Sequence, residues 1–74
     1  MKTTQFDIPG FDGNCTKIFS NGKWITKAVR CNSGRFSASY LPKNKVDSSR
    51  FETETGISFT SAALRNQINK QVII

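Results

Sequence analysis

Apolar and polar residues alternate in short runs along most of the chain, and turn residues separate the runs. Alternation with a period of two is typical of strands that bury one face. The first run, residues 15–20, is separated from the second, residues 23–30, by Asn21-Gly22. Because both residues of this dipeptide accept a positive φ, the sequence predicts a β-hairpin with a two-residue loop.

A second hairpin is predicted at the next turn, which ends in Ser33-Gly34. A three-residue loop with Gly34 in the left-handed region would pair Arg30 with Phe36 across the hairpin. A two-residue loop at Ser33-Gly34 is the alternative, and it shifts the register of the third strand, residues 35–41. The sequence alone leaves this register open.

The faces of the sheet follow from the registers, because successive strand residues point to opposite sides. The first hairpin is predicted to pair Phe19 with Trp24, Ile18 with Ile25, and Cys15 with Ala28. With the three-residue second loop, one face collects Phe19, Trp24, Ala28, Phe36, Ala38 and Tyr40, with Lys17 and Arg30 among them. The other face collects Ile18, Ile25, Val29, Cys31 and Leu41, so the two cysteines would point to opposite faces. A two-residue second loop would instead move Phe36 and Tyr40 to the aliphatic face.

The N-terminal segment contains Phe6 and Ile8 among polar neighbours, followed by a turn at Pro9-Gly10. This pattern predicts a short edge strand or an extended arm. Residues 51–59 alternate again and predict a fourth strand that is broken or bulged at Gly56. A short helix, capped by Asp47 and ended by Gly56, is the alternative for residues 47–56.

The final segment is predicted to be a helix that Thr60 or Ser61 caps. Its apolar residues recur every four positions and form a buried stripe of Leu64, Ile68 and Val72. The predicted fold is therefore α+β. It has a small antiparallel sheet of three to four strands with the C-terminal helix packed on one face.

Length and composition are those of one small globular domain spanning residues 1–74. The chain has 36% apolar and 22% charged residues, a balance that distinguishes it from disordered chains. A domain of this size has a thin core worth roughly 3–5 kcal/mol net, so self-association is a plausible source of further stability.

The charge is strongly positive and unevenly placed. The net charge is +6, the sequence pI is about 9.8 and residues 13–46 contain no acid. Basic and aromatic residues share this stretch, which is typical of nucleic-acid-binding surfaces. We therefore expect a small basic protein that binds nucleic acid through a basic and aromatic hairpin surface. The residues predicted to bind are Lys17, Phe19, Lys23, Trp24, Lys27, Arg30, Arg35, Phe36 and Tyr40.

Other interpretations of the same residues are open. The aromatic rings are the largest apolar groups available, so they could simply form the core. An exposed Trp24 would favour a binding surface, and a buried Trp24 would favour the core. The charge also suits a small inhibitor or adaptor, of phage or plasmid type, that binds an acidic patch on another protein. A homodimer formed through an exposed sheet edge is a further hypothesis.

The residues that carry catalytic and metal chemistry are sparse. The chain has no histidine, and its two cysteines, Cys15 and Cys31, cannot build a standard zinc site alone. We expect no enzyme activity, no metal and no cofactor. No apolar run approaches the roughly 18 residues of a membrane span, and the N-terminus lacks the apolar segment of a signal peptide. These features predict a cytoplasmic protein with reduced thiols.

Overall fold

The computed structural model describes residues 4–40, 42 and 44–71. Five strands form one antiparallel sheet in the order β3-β2-β1-β4-β5, and a C-terminal helix follows them. The elements are β1 (Cys15–Ser20), β2 (Lys23–Arg30), β3 (Phe36–Ala38), β4 (Arg50–Thr53), β5 (Ser58–Thr60) and α1 (Ala62–Gln71). The sheet curls into a half-barrel. This arrangement agrees with the predicted α+β class, whereas the prediction of three to four strands was too low.

The first hairpin forms at Asn21-Gly22, as predicted. The two residues have φ values of 54° and 77°, and Phe19 pairs with Trp24 beyond them. The pairing then shifts, because Ile18 lies opposite Thr26 rather than Ile25. Ile25 is therefore an extra residue on β2, and the strand contains a β-bulge. Ile25 and Thr26 are both buried although they are consecutive, which a regular strand does not allow.

Because of the bulge, the two faces of the sheet carry different residues from those predicted. Beyond it Cys15 pairs with Val29 and not with Ala28, so every β2 residue from Thr26 onward faces the side opposite to that predicted. The second hairpin keeps its predicted register, with Arg30 opposite Phe36. The core face of β1 to β3 consequently carries Ile18, Ala28, Phe36 and Ala38. Val29 lies on the opposite face and is exposed.

Residues 53–57 form a third hairpin loop, which the sequence analysis did not predict. The Thr53 N–H donates to the Ile57 carbonyl at 2.8 Å, and the Gly56 N–H donates to the Thr53 carbonyl at 2.9 Å. Gly56 has a φ of 93°, the left-handed conformation that closes a three-residue loop. The chain therefore reverses at Gly56 and begins β5. A fourth strand broken at Gly56 is confirmed for residues 50–53, but the residues after Gly56 form a separate fifth strand that pairs with it, and the alternative of a short helix capped by Asp47 was wrong.

The N-terminal segment is an extended arm rather than a strand of the sheet. Phe6 and Phe36 exchange two main-chain hydrogen bonds of 2.8 Å, which bridge the arm to the outer edge of β3 at its first residue. The Phe6 ring also stacks on Phe59, with centroids 6.3 Å apart. Pro9-Gly10 turns the chain as predicted, with a φ of 79° at Gly10. The arm thus joins the two ends of the curled sheet through the core.

Helix α1 is capped by Ser61, whose hydroxyl accepts a hydrogen bond from the Leu64 N–H at 3.1 Å. Leu64 and Ile68 are fully buried, as predicted. Two further predicted core residues, Leu41 and Val72, lie outside the described residues. No helix in the described ranges is long and apolar enough to cross a membrane.

The end of α1 is tied to the loop before β4. The Asn69 side-chain oxygen accepts from the Val46 N–H at 2.9 Å, and its amide nitrogen donates to the Val46 carbonyl at 3.0 Å. This two-point contact satisfies both polar groups of Val46, so it fixes the loop over the buried side of the sheet. On the other side of the sheet, Lys17, Trp24 and Glu52 are exposed.

Gln67 is a buried polar side chain on α1 that the predicted stripe did not include. It is only 5% exposed, and neither its amide oxygen nor its amide nitrogen has a hydrogen-bond partner among the described residues. We expect Gln67→Met to raise the free energy of unfolding by about 1–2 kcal/mol, because it removes two unsatisfied buried groups at similar volume. Urea denaturation would measure this change. Asn66→Met, at an exposed position of the same helix, should change stability by less than about 0.5 kcal/mol.

Candidate nucleic-acid interface

The sheet has an outer face, directed away from the core and from α1. On β1 and β2 this face carries Lys17, Phe19, Trp24 and Lys27, which we call the basic-aromatic patch. Trp24 is 45% exposed, and its cross-strand neighbour Phe19 is half-buried. The patch thus retains four of the nine residues predicted from the sequence. Its ring surface is available to a partner.

Lys17 and Lys27 lie directly opposite each other in the patch. The Arg30 N–H donates to the Asn14 carbonyl at 2.7 Å, so these two residues form a hydrogen-bonded pair. Hydrogen-bonded and non-hydrogen-bonded pairs alternate along β1 and β2 from this point. Lys17 and Lys27 consequently form a non-hydrogen-bonded pair, the type in which opposite side chains lie closest. Like charges in such a pair destabilise a sheet. An anion bound between the two ammonium groups would remove this cost.

Two acids adjoin the patch on the side of β4. Glu52 lies opposite Phe19 across β1 and β4. The Glu54 N–H donates to the Lys17 carbonyl at 3.1 Å, and its carboxylate accepts from the Lys17 N–H at 3.2 Å. The outer face is therefore basic along β1 and β2, whereas β4 carries both Arg50 and Glu52 on this face and Glu54 follows β4. A polyanion would be directed across β1 and β2, away from the two acids.

A groove adjoins the patch at the tip of the first hairpin. Its volume is about 270 Å³, and Trp24, Lys23 and Lys45 are among its lining residues, together with Asp47. The groove separates the hairpin tip from residues 44–48. Trp24 belongs both to the patch and to the groove, so the ring lies where the two surfaces meet. Lys23, a fifth predicted residue, is exposed beside it.

Arg30 was predicted to bind phosphate, and the structure gives its side chain a structural role. Its guanidinium donates to the carbonyls of Gly13 at 3.1 Å, Gly34 at 2.7 Å and Phe11 at 2.8 Å. It also lies over the Phe36 ring, with its central carbon 4.5 Å from the centroid. Phe36 is only 1% exposed, so its ring lies in the core and not on the outer face where a base would stack. The bulge in β2 is the cause, because it keeps this part of the sheet in the core.

Arg35 and Tyr40 lie outside the patch. Arg35 is exposed next to the second hairpin loop, at the end of β2 that is farthest from Trp24. Tyr40 is 59% exposed just beyond β3, where its carbonyl accepts a hydrogen bond from the Thr26 hydroxyl. Lysines and rings that are close in sequence are thus divided between the patch, the core and the far hairpin.

Both cysteines are free thiols, and Cys15 is the more exposed. Cys15 pairs with Val29 on the outer face, and the Cys31 sulfur lies 3.6 Å from the hydroxyl of Ser37, the β3 partner of Val29. The two thiols therefore share the outer face, and the prediction of opposite faces was wrong. Within the described part of the chain, no three His, Cys, Asp or Glu side chains gather to hold a metal ion.

Comparison of the chain with protein-family models, with curated proteins and with solved structures gave no match.

Proposed function

We propose that the protein binds single-stranded nucleic acid on the basic-aromatic patch, with a base stacked on Trp24 and phosphate held by Lys17 and Lys27. The observation that carries the proposal is the exposed Trp24 ring beside two directly opposed lysines. Exposed rings on a sheet stack on unpaired bases regardless of sequence, and neighbouring cations follow the phosphates. A duplex offers no free base faces to such a ring.

The packing of the aromatic residues supports this proposal. The chain has six phenylalanines and one tryptophan. Four of the phenylalanines are buried: Phe6, Phe36, Phe51 and Phe59. The largest ring, Trp24, would stabilise the thin core most if it were buried, yet it lies on the surface. Exposed apolar groups within a charged rim are typical of interaction sites.

An acidic surface of another protein is the alternative partner, because tryptophan is enriched at protein interfaces and the lysines would complement acidic groups. Single-stranded nucleic acid is favoured because the exposed Trp24 ring adjoins two directly opposed lysines, and unpaired bases stack on such rings while neighbouring cations follow the phosphates. Recovery of one stoichiometric protein partner that resists nuclease treatment would favour the alternative. Titration with a short oligonucleotide separates the two partners.

We expect Trp24 emission to be quenched when a short oligothymidylate is added. Neutralisation of two or three phosphates gives a logarithmic salt slope of about −1.4 to −2.1, so the affinity should fall about 7- to 18-fold between 50 and 200 mM salt. Trp24→Ala should weaken binding about 5- to 150-fold, measured by anisotropy of a labelled oligonucleotide. Trp24→Phe keeps a stacking ring and serves as the matched control, with most of the affinity retained. Absence of binding at low salt, or equal affinity in all three proteins, would contradict the proposal.

A further inference from the structure

The two edges of the sheet are treated differently by the fold. The outer edge of β3 is bridged at its first residue by the N-terminal arm, through the paired hydrogen bonds of Phe6 and Phe36. At the other edge, Ser58 and Thr60 of β5 are exposed, and β4 is the only strand paired with β5 in the described part of the chain. Neither lysine nor proline, the residues that commonly guard an edge, is present in β5.

The hydrogen-bond ladder shows which main-chain groups of β5 are not bonded to β4. The Thr53 N–H donates to the Ile57 carbonyl, and the Ser61 N–H donates to the Ser49 carbonyl, both at 2.8 Å. These two bonds flank β5, so they determine which of its residues direct their main-chain N–H and C=O groups toward β4 and which direct them away. The N–H and C=O groups of the first and last residues of β5 therefore point away from β4. They form a short, regular row of donors and acceptors on the open edge.

The charges beside this edge are arranged to favour one self-pairing. On the outer face Arg50 lies opposite Thr60, and Glu52 lies opposite Ser58. A two-fold axis at Phe59 would place Ser58 against Thr60 of a second copy. Each row of side chains across the interface would then contain Glu52 and Ser58 of one copy followed by Thr60 and Arg50 of the other. Registers centred on Ser58 or on Thr60 instead align Glu52 with Glu52, or Arg50 with Arg50.

The central register also makes the most hydrogen bonds, because the free groups of Ser58 and Thr60 are all used. A depression of about 490 Å³ lies over β4 and β5, and both Arg50 and Glu52 line it. Their side chains therefore have space to extend over the boundary. Opposite charges across an interface set its register and exclude the mismatched pairings.

We propose that β5 is a self-association edge at which two copies of this chain pair antiparallel about Phe59 and join their sheets. Two strands, β1 and β4, lie between β5 and β2, and the proposal does not depend on the proposed nucleic-acid function. The occupant is a second copy rather than an unrelated peptide, because the edge is complementary in charge to itself. Isologous pairing of this kind is the usual route to a closed dimer.

Charge reversal at the two positions tests the proposal. Sedimentation of the full chain from micromolar to millimolar concentration should show a reversible dimer. Arg50→Glu and Glu52→Arg each place like charges in both rows, so each should weaken dimerisation at least about tenfold. An equimolar mixture of the two variants restores opposite charges in both rows, and it should form the heterodimer. Amide exchange at Ser58 and Thr60 should slow as the wild-type concentration rises.

Three results would overturn the proposal. The first is a wild-type chain that stays monomeric at millimolar concentration. The second is a dimer that both variants form as well as the wild type, and the third is a mixture that remains monomeric. Circular dichroism of each variant alone checks that it is folded, and recovery of the dimer on mixing can occur only if both variants are folded.

Discussion

Replacement of Arg30 by methionine should lower the free energy of unfolding by about 2–3 kcal/mol, which is a shift of roughly 10–20 °C in Tm for a domain of this size. Methionine keeps much of the aliphatic volume and removes the guanidinium. Because the whole domain has roughly 3–5 kcal/mol to lose, a substantial part of the variant would be unfolded near 37 °C.

The size of this effect comes from the number of segments that one side chain joins. Arg30 donates to carbonyls in the 11–13 segment before β1 and in the second hairpin loop, and it stacks over Phe36. Hydrogen bonds from a charged donor are worth more than neutral ones, and loss of the donor leaves the Phe11 and Gly13 carbonyls without this partner. The stacking over Phe36 adds roughly 0.5–1 kcal/mol.

Thermal denaturation of Arg30→Met, Arg30→Lys and Arg35→Met separates the effect of the guanidinium's hydrogen bonds from the effect of its charge. Arg30→Lys keeps the charge but lacks the planar fork of donors, so it should lose most of the same stability. Arg35→Met removes an exposed arginine five positions along the chain and should change the free energy of unfolding by less than about 0.5 kcal/mol. If Arg30→Lys were as stable as the wild type, the three-carbonyl clamp would contribute little and charge alone would explain the residue.

The elements that were predictable from sequence are those with local signals. Asn21-Gly22 and Gly34 each specify a loop through a positive φ, and Ser61 specifies the start of α1 through its hydroxyl. The third hairpin carries a comparable signal, since Gly56 again ends a three-residue polar loop. It was missed because residues on both sides of the loop continue the same alternation, which favours one long strand over two short ones.

The bulge at Ile25 could not be predicted, and most of the errors in the site follow from it. A bulge depends on how β2 fits the curled sheet and the core beneath it, and no local pattern specifies it. In the regular register, Lys17 would lie opposite Thr26, and Lys27 would lie on the other face. The extra residue brings Lys27 beside Lys17 and moves Val29 to the outer face. The lysine pair is therefore a product of tertiary structure.

Contacts between residues that are distant in sequence account for the remaining differences between the predicted and the observed surface. Residues 13–46 contain no acid, but Glu54 contacts Lys17 because β4 pairs with β1. The structural role of Arg30 likewise depends on carbonyls from segments that are distant in sequence. Sequence patterns locate the basic and aromatic residues, while the pairing of distant strands decides which of them share a surface.

Lys27→Glu should stabilise the free protein and weaken its binding to nucleic acid at the same time. The substitution converts the opposed Lys17–Lys27 pair into a pair of opposite charge, which should raise the free energy of unfolding by about 0.2–1 kcal/mol. It also removes one phosphate contact, so the logarithmic salt slope should become less steep by about 0.7. We expect the affinity for an oligothymidylate at low salt to fall at least about tenfold.

Lys70→Glu is the matched control for this experiment. It changes the net charge of +6 by the same amount, and it lies near the end of α1, whose buried stripe packs against the opposite side of the sheet. It should leave the salt slope unchanged and reduce affinity only slightly through the overall charge. If only Lys27→Glu gains stability and loses binding, then the repulsion between Lys17 and Lys27 destabilises the free protein and is relieved when an anion binds between them. Equal losses of affinity in the two variants would mean that net charge, and not the patch, attracts nucleic acid.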